Sequence, residues 1–337
     1  MTRSGGVNDS DITLIGLHER AAWEAATAQQ GLPSQTWAYA WGLAAEGIEP
    51  QLAVVRASGA EMLLPFVERP IGGHVDVATL PGLSGALLRG DGDAPLATWS
   101  AFARRRGWVS GYIQLACANE QLTVAPPDTI RAHNAHFVFD MKSWDFRTSV
   151  GANMRRTLTA GERVGAQLVT DRDRLADAFP ELYRQSMARA GDHGFGDEAL
   201  ARWFADPDAV AFGVEVSGVI EAAHLGRARG SAAELHLAGA SDKGRHLQAW
   251  LIRRAAETLR ASGVRYIDIG GYGRHGDGLH AMKRRLGIAE LPMRSLRQVY
   301  DPKAFAELCA ATGADPGASY FPPYRALAAE GSEAPAG

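Results

Sequence analysis

The sequence predicts an α/β (α+β) chain of two tandem units, each a mostly antiparallel central sheet flanked by helices. Three observations predict it. Three-strand meanders with turns at matching places recur in the two halves. Each meander leads to a helix and a further strand. Those further strands read Tyr112-Ile113-Gln114-Leu115 and Tyr266-Ile267-Asp268-Ile269. Self-similarity on this scale marks one supersecondary unit used twice.

The first meander runs Gln51–Val55, Met62–Val67 and Val75–Leu80, with turns at Ser58-Gly59 and Gly72-Gly73. Residues 97–106 then read as a helix that Gly107 stops, followed by the Tyr112 strand. Residues 124–145 read as connecting structure, with Pro126-Pro127 and a strand His136–Asp140. The second meander runs Ala211–Val216, Val219–Leu225 and Ala233–Gly239, with turns at Ser217-Gly218 and Gly230. Leu247, Leu251, Ala255 and Leu259 recur every four residues and mark one buried helical stripe, which Gly263 ends. The Tyr266 strand follows. A helix over 303–312 and an Ala/Pro/Glu-rich end, 330–337, complete the chain. The expected division is 1–150 and 151–300, with 301–337 as a C-terminal helix and flexible tail.

Length and composition narrow the classes. The 337 residues, 46% hydrophobic and 22% charged, are those of a globular protein. No apolar run reaches the ~18–20 residues of a membrane span. Polar, acidic Met1–Asp11 is not a secretory leader, and Cys117 and Cys309 lie too far apart for metal or redox spacing. A cytoplasmic setting is expected. A net charge of −3 speaks against a DNA-binding protein, yet residues 243–297 hold twelve Lys/Arg against four Asp/Glu. That asymmetry is either a basic face for an anionic ligand or a solvated helix face.

The basic segment contains Gly271-Tyr272-Gly273-Arg274-His275-Gly276, which matches G-x-G-x-x-G. A dinucleotide fold also needs a long crossover helix and an acid about 20 residues on. The helix here, 279–286, is short and Pro292 follows, so this reading is set aside.

A meander, then a helix entered through a loop, then a strand resembles the core of the GNAT acyltransferase superfamily. Two in tandem resemble the Fem-type aminoacyl and peptidyl transferases and their CelD-like relatives, over residues 34–300. Gly151-Ala152-Asn153-Met154-Arg155-Arg156 resembles the family's Arg-rich helix start. Glu181-Leu182-Tyr183 with Met187-Ala188-Arg189-Ala190-Gly191 resembles its Tyr…Arg-x-Gly helix. Asp268-Ile269-Gly270 with Gly278-Leu279 and Met282-Lys283-Arg284-Arg285-Leu286-Gly287 resembles its closing motif, with Met282 and Leu286 where the family has Phe. No lysine stands between Ala38 and Ala45, where cell-wall members bind a nucleotide-linked muropeptide.

The resemblance implies an N-acyltransferase without a permanently bound cofactor. Its expected donor is an aminoacyl-tRNA, whose 3′ end is held in a basic groove. Its expected acceptor is an amine of a small metabolite or peptide-like intermediate. Acyl-CoA is the alternative donor, and a non-catalytic binding protein the third reading. Against acyl-CoA stands the loop Ala240–Ala249, with one glycine where a pyrophosphate-binding loop has two small residues. Lys283 and Asp268 are the expected catalytic residues. Lys283 would reach an ester oxygen or phosphate, or else act as a cation at a helix C-terminus. Asp268 would take or orient the amine proton, or else be satisfied by the glycine amides after it. Lys283, Arg284, Arg285, Arg253, Arg254 and Tyr272 are the donor-binding candidates; Arg155, Arg156, Arg189, Trp37 and Trp41 are those for the acceptor. His224 and His236 read as core histidines. His133 and His136 have no third ligand in view, so no metal is expected.

Overall fold

The structure, a computed structural model, describes residues 11–29, 31–116, 128–271 and 278–326. Contacts divide the chain into residues 1–133 with 293–334, and residues 134–292.

In the first unit the chain runs β1 (Ile12–Gly16), α1 (Arg20–Thr27), α2 (Trp37–Leu43), β2 (Pro50–Ala57), β3 (Ala60–Ile71) and β4 (His74–Thr79). The four strands pair antiparallel in that order. Ser58 (φ 51°) and Gly59 (φ 79°) both take the left-handed region, which a two-residue hairpin turn requires. After β5 (Leu87–Arg89), α3 (Asp93–Arg105) carries the chain over the sheet and β6 (Ser110–Leu115) joins β4 in parallel. Leu96, Trp99 and Ala103 recur at helical spacing on α3 and are buried with Phe66 and Trp108. Residues 294–299 close this sheet, antiparallel to β6.

The second unit repeats the plan. The end of β7 (Thr129–Asp140) belongs to it, followed by α4 (Ala152–Leu158), α5 (Ala160–Arg163), β8 (Gln167–Val169), α6 (Arg172–Ala190) and α7 (Asp197–Phe204). Asp171 caps α6 by accepting from the amides of Asp173 (3.1 Å) and Arg174 (3.2 Å), and Gly191 (φ 74°) ends it. The meander β9 (Ala209–Val216), β10 (Val219–Arg229), β11 (Ala232–Ala240) turns at Ser217 (φ 52°) and Gly218 (φ 82°), the counterparts of Ser58 and Gly59. α8 (Gln248–Ala261) then returns the chain so that β12 (Tyr266–Asp268) joins β11 in parallel. The sheet order is β8-β9-β10-β11-β12-β7, with α8 packed through Leu251, Ala255 and Leu259. A short helix, α9 (Gly278–Arg284), precedes β13 (Ala289–Val299) and α10 (Pro302–Thr312).

The unit boundaries differ from those expected at 150/151 and 300/301. The strand read as connecting structure is the end of β7; it pairs with β12 and closes the second sheet. Likewise β13 closes the first sheet, and α10 packs there with Val109 and Tyr324. The first sheet is therefore closed by a strand from beyond the second unit's sequence, and the second sheet by the strand that opens its own unit. Backbone amides at a sheet edge need partners, and nothing in the local pattern says which edge supplies them.

Candidate functional site: the end of strand β12

The parallel pair β11–β12 is short. It joins residues 232–234 to 266–268, and beyond Glu234 and Asp268 the two strands no longer pair. β12 ends there in Asp268, Gly270 (φ 71°) and Gly271. A side chain at Gly271 would press on the Asn134 side chain and the Ala135 carbonyl, so the close approach of β7 requires glycine.

The helix α9 brings Lys283 back onto this turn. Lys283 is 6% exposed, and its Nζ donates to the carbonyls of Ile269 (2.6 Å), Gly270 (3.0 Å) and Gly271 (2.6 Å). An ammonium has three hydrogens, and here three carbonyls receive them. The ammonium also lies 5.8 Å from the Phe137 ring centroid. Lys283 thus clamps the glycine turn, a role the sequence did not indicate, and this engages the donors expected for an ester oxygen or phosphate.

Asp268 is held from two sides. Its Oδ1 accepts from the Gly270 amide (2.8 Å), the satisfaction by a glycine amide foreseen as its bland role. Its Oδ2 lies 2.5 Å from Nδ1 of His136 on β7. The Asp268 side chain keeps 12% of its surface, whereas that of His136 keeps none. Sequence reasoning missed His136 because the contact spans 132 positions. The only local signal was alternation, which puts Phe137 and Phe139 in the core under α8 and turns His136 to the other face.

Two buried histidines lie on the meander. His224 Nε2 and Gln248 Oε1, at the start of α8, are 2.5 Å apart. Burial pushes the His224 pKa down to about 4, with the Lys283 charge adding and the Gln248 bond opposing. Burial pushes His236 down to about 3, with Arg227 adding to it. Both are neutral core histidines near pH 7, as the sequence reading expects.

The loop between β11 and α8 is closed on itself. Ser241 Oγ hydrogen-bonds the Glu221 carboxylate and accepts from the Gly244 amide (3.0 Å), while the Arg245 amide donates to the Ser241 carbonyl (3.1 Å). Arg189 donates to the Ala240 carbonyl (2.5 Å) and lies 3.6 Å from Asp242. Two amides that a phosphate would need are engaged, and two carboxylates stand beside them.

The other expected residues disperse. Arg253 is 4% exposed, pairs with Glu162 (2.5 Å) and stacks on Phe146 (4.6 Å), so it braces α8 and does not line a groove. Arg254 lies 3.7 Å from Glu257, and Arg284 3.3 Å from Glu290. Arg285 donates to the Ala281 carbonyl (2.9 Å). Arg155 ties down the carbonyls of Arg147 (2.9 Å) and Val150 (2.5 Å), and Arg156 bonds Asn153. Tyr272 lies outside the described residues. In the first unit Trp37 and Trp41 stack at 5.5 Å and line an open cavity of about 750 Å³ with His18, Gly47 and Glu49. Among the described residues no cluster of His, Cys, Asp and Glu fits a metal, and no helix is long and apolar enough to cross a membrane.

Comparison with known proteins reaches the chain through its fold. No protein-family model matches it, and no curated protein matches it by sequence. Solved structures do. The crystal structure of FemX superposes with a TM-score of 0.61 at 13% identity, covering 87% of this chain and 98% of that one. L-PGS from Bacillus licheniformis gives 0.60 at 13% identity, over 83% and 92%. The C-terminal domain of a putative lysylphosphatidylglycerol synthetase from Agrobacterium fabrum gives 0.52 at 15%, over 80% and 90%. With its repeated meander, crossover helix and parallel strand, the chain shares the fold of FemX and L-PGS.

Proposed function

We propose that the protein is an N-acyltransferase that moves an aminoacyl group from an aminoacyl-tRNA to an amine of a small metabolite or peptide-like intermediate. The observation that carries the choice of donor is the loop 240–247. An acyl-CoA enzyme of this fold aims loop amides at a pyrophosphate. Here the Gly244 and Arg245 amides bond within the loop, and the Glu221 and Asp242 carboxylates oppose a second anion. A tRNA donor does not need that cradle, because its phosphates lie elsewhere along its 3′ end.

The chemistry follows from the fork between β11 and β12. The amine lone pair attacks the ester carbonyl, a C–N bond forms, and the C–O bond to the ribose breaks. The departing oxygen leaves as a hydroxyl after taking up a proton. The proton lost by the amine passes to Asp268, whose side chain keeps 12% of its surface. Lys283 fixes the turn that positions Asp268.

The test offers labelled aminoacyl-tRNA and labelled acyl-CoA separately, across a panel of amines. Amide formed from the charged tRNA supports the reading. Transfer from acyl-CoA alone would assign the other donor, and no transfer from either would point to a binding protein.

A further inference from the structure

His136 has no place in the reaction described so far, yet its setting calls for a physical reason. It lies on β7 between Ala135 and Phe137, buried apolar residues, and is itself wholly buried. Its Nε2 has no hydrogen-bond partner among the described residues. A buried polar atom left unpaired costs about 1–3 kcal/mol. A side chain needed only to fill a wholly buried place would be apolar. Among the described residues the polar contact of the imidazole is Nδ1 with Asp268 Oδ2, at 2.5 Å.

We propose that His136 is a positioning residue of the transfer reaction. Its Nδ1–H holds Asp268 Oδ2 from the buried side while the Gly270 amide holds Oδ1, so the carboxylate meets the amine in one orientation. The proposal rests on the reading of Asp268 as the amine's proton acceptor. The exposures set the order of the parts: a substrate can touch Asp268, whose side chain keeps 12% of its surface, but not His136 behind it. Proton transfer needs heavy atoms within about 3 Å of each other, and a carboxylate free to rotate about its Cβ–Cγ bond loses that alignment.

The contrast is between His136→Leu, which removes the donor, and His136→Asn, whose amide nitrogen falls near the place of Nδ1. For a wild-type protein active with aminoacyl-tRNA, H136L should lower kcat on the order of 10²-fold with KM for the donor nearly unchanged. H136N should recover kcat to within roughly threefold of wild type. Wild-type kcat in H136L would overturn the proposal, since Asp268 would then hold its orientation unaided. So would an H136N protein as slow as H136L, because the imidazole would then do more than donate from Nδ1. If H136L does not fold, H136Q, whose amide reaches the Nε2 position instead, gives the same contrast with H136N. A wild-type protein inactive with every donor overturns the transfer reading itself and this proposal with it, an outcome visible without any variant.

Discussion

Lys283 shows how one side chain can be right in importance and different in task. The sequence marks it by its place after a glycine turn, and the structure puts its ammonium against three successive carbonyls. Lys283→Met keeps the length and removes all three donors. The Gly270 carbonyl keeps the Phe137 amide (3.3 Å), so the Ile269 and Gly271 carbonyls bear the loss; at about 1–3 kcal/mol each, offset where the turn can relax, a net loss of roughly 3 kcal/mol is expected. In a unit of this size that lowers Tm by roughly 6–12 °C. Transfer and Tm should fall together, as thermal melts and initial rates of K283M would record. A K283M protein with wild-type Tm and no transfer would instead give the ammonium to the substrate.

Among the elements, the meanders were legible because their signals are local. The turns Ser58-Gly59 and Ser217-Gly218 need left-handed backbone, and the strands beside them are short apolar runs, buried on both faces through their middle. The helix stripe Leu251, Ala255, Leu259 was legible for the same reason. β7 and β13 were not legible as closing strands, because their partners lie more than a hundred residues away and no short pattern encodes them. The same distance hid His136. β10 and β11 also carry a pH response. Their residues His224 and His236 stay neutral down to about 4 and about 3, whereas unfolded histidine takes up a proton near pH 6.5. The unfolded chain therefore binds more protons below that pH. Stability is full above about 6.5 and drains as the pH falls toward 4, by about 1.4 kcal/mol per pH unit for each group. Thermal melts at pH 7, 6 and 5 should show Tm falling, and His224→Gln should flatten the slope.

For the whole molecule, the basic segment is less available than its composition implies. Arg253 is engaged by Glu162, Lys283 by carbonyls, Arg260 by the Met141 and Trp144 carbonyls, and Arg265 lies 3.5 Å from Asp140. Lys243 and Arg245 remain exposed, with Arg284 and Arg285 exposed beside their contacts. About three phosphate contacts on a single-stranded 3′ end would give a slope near −2 for log affinity against log salt. A slope several-fold steeper, measured by tRNA binding from low to moderate salt, would require a larger footprint than these side chains offer. The paired indoles of the first unit have a further, optical consequence. Of eight tryptophans, six (Trp23, Trp99, Trp108, Trp144, Trp203 and Trp250) are at most 4% exposed. Trp37 and Trp41, half-buried, alone among the tryptophans line the open cavity, so the red edge of the protein's emission and its quenching by acrylamide should report chiefly on that stack. A ligand that settles in this cavity would dim or shift that signal, so the protein carries its own titration dye for it.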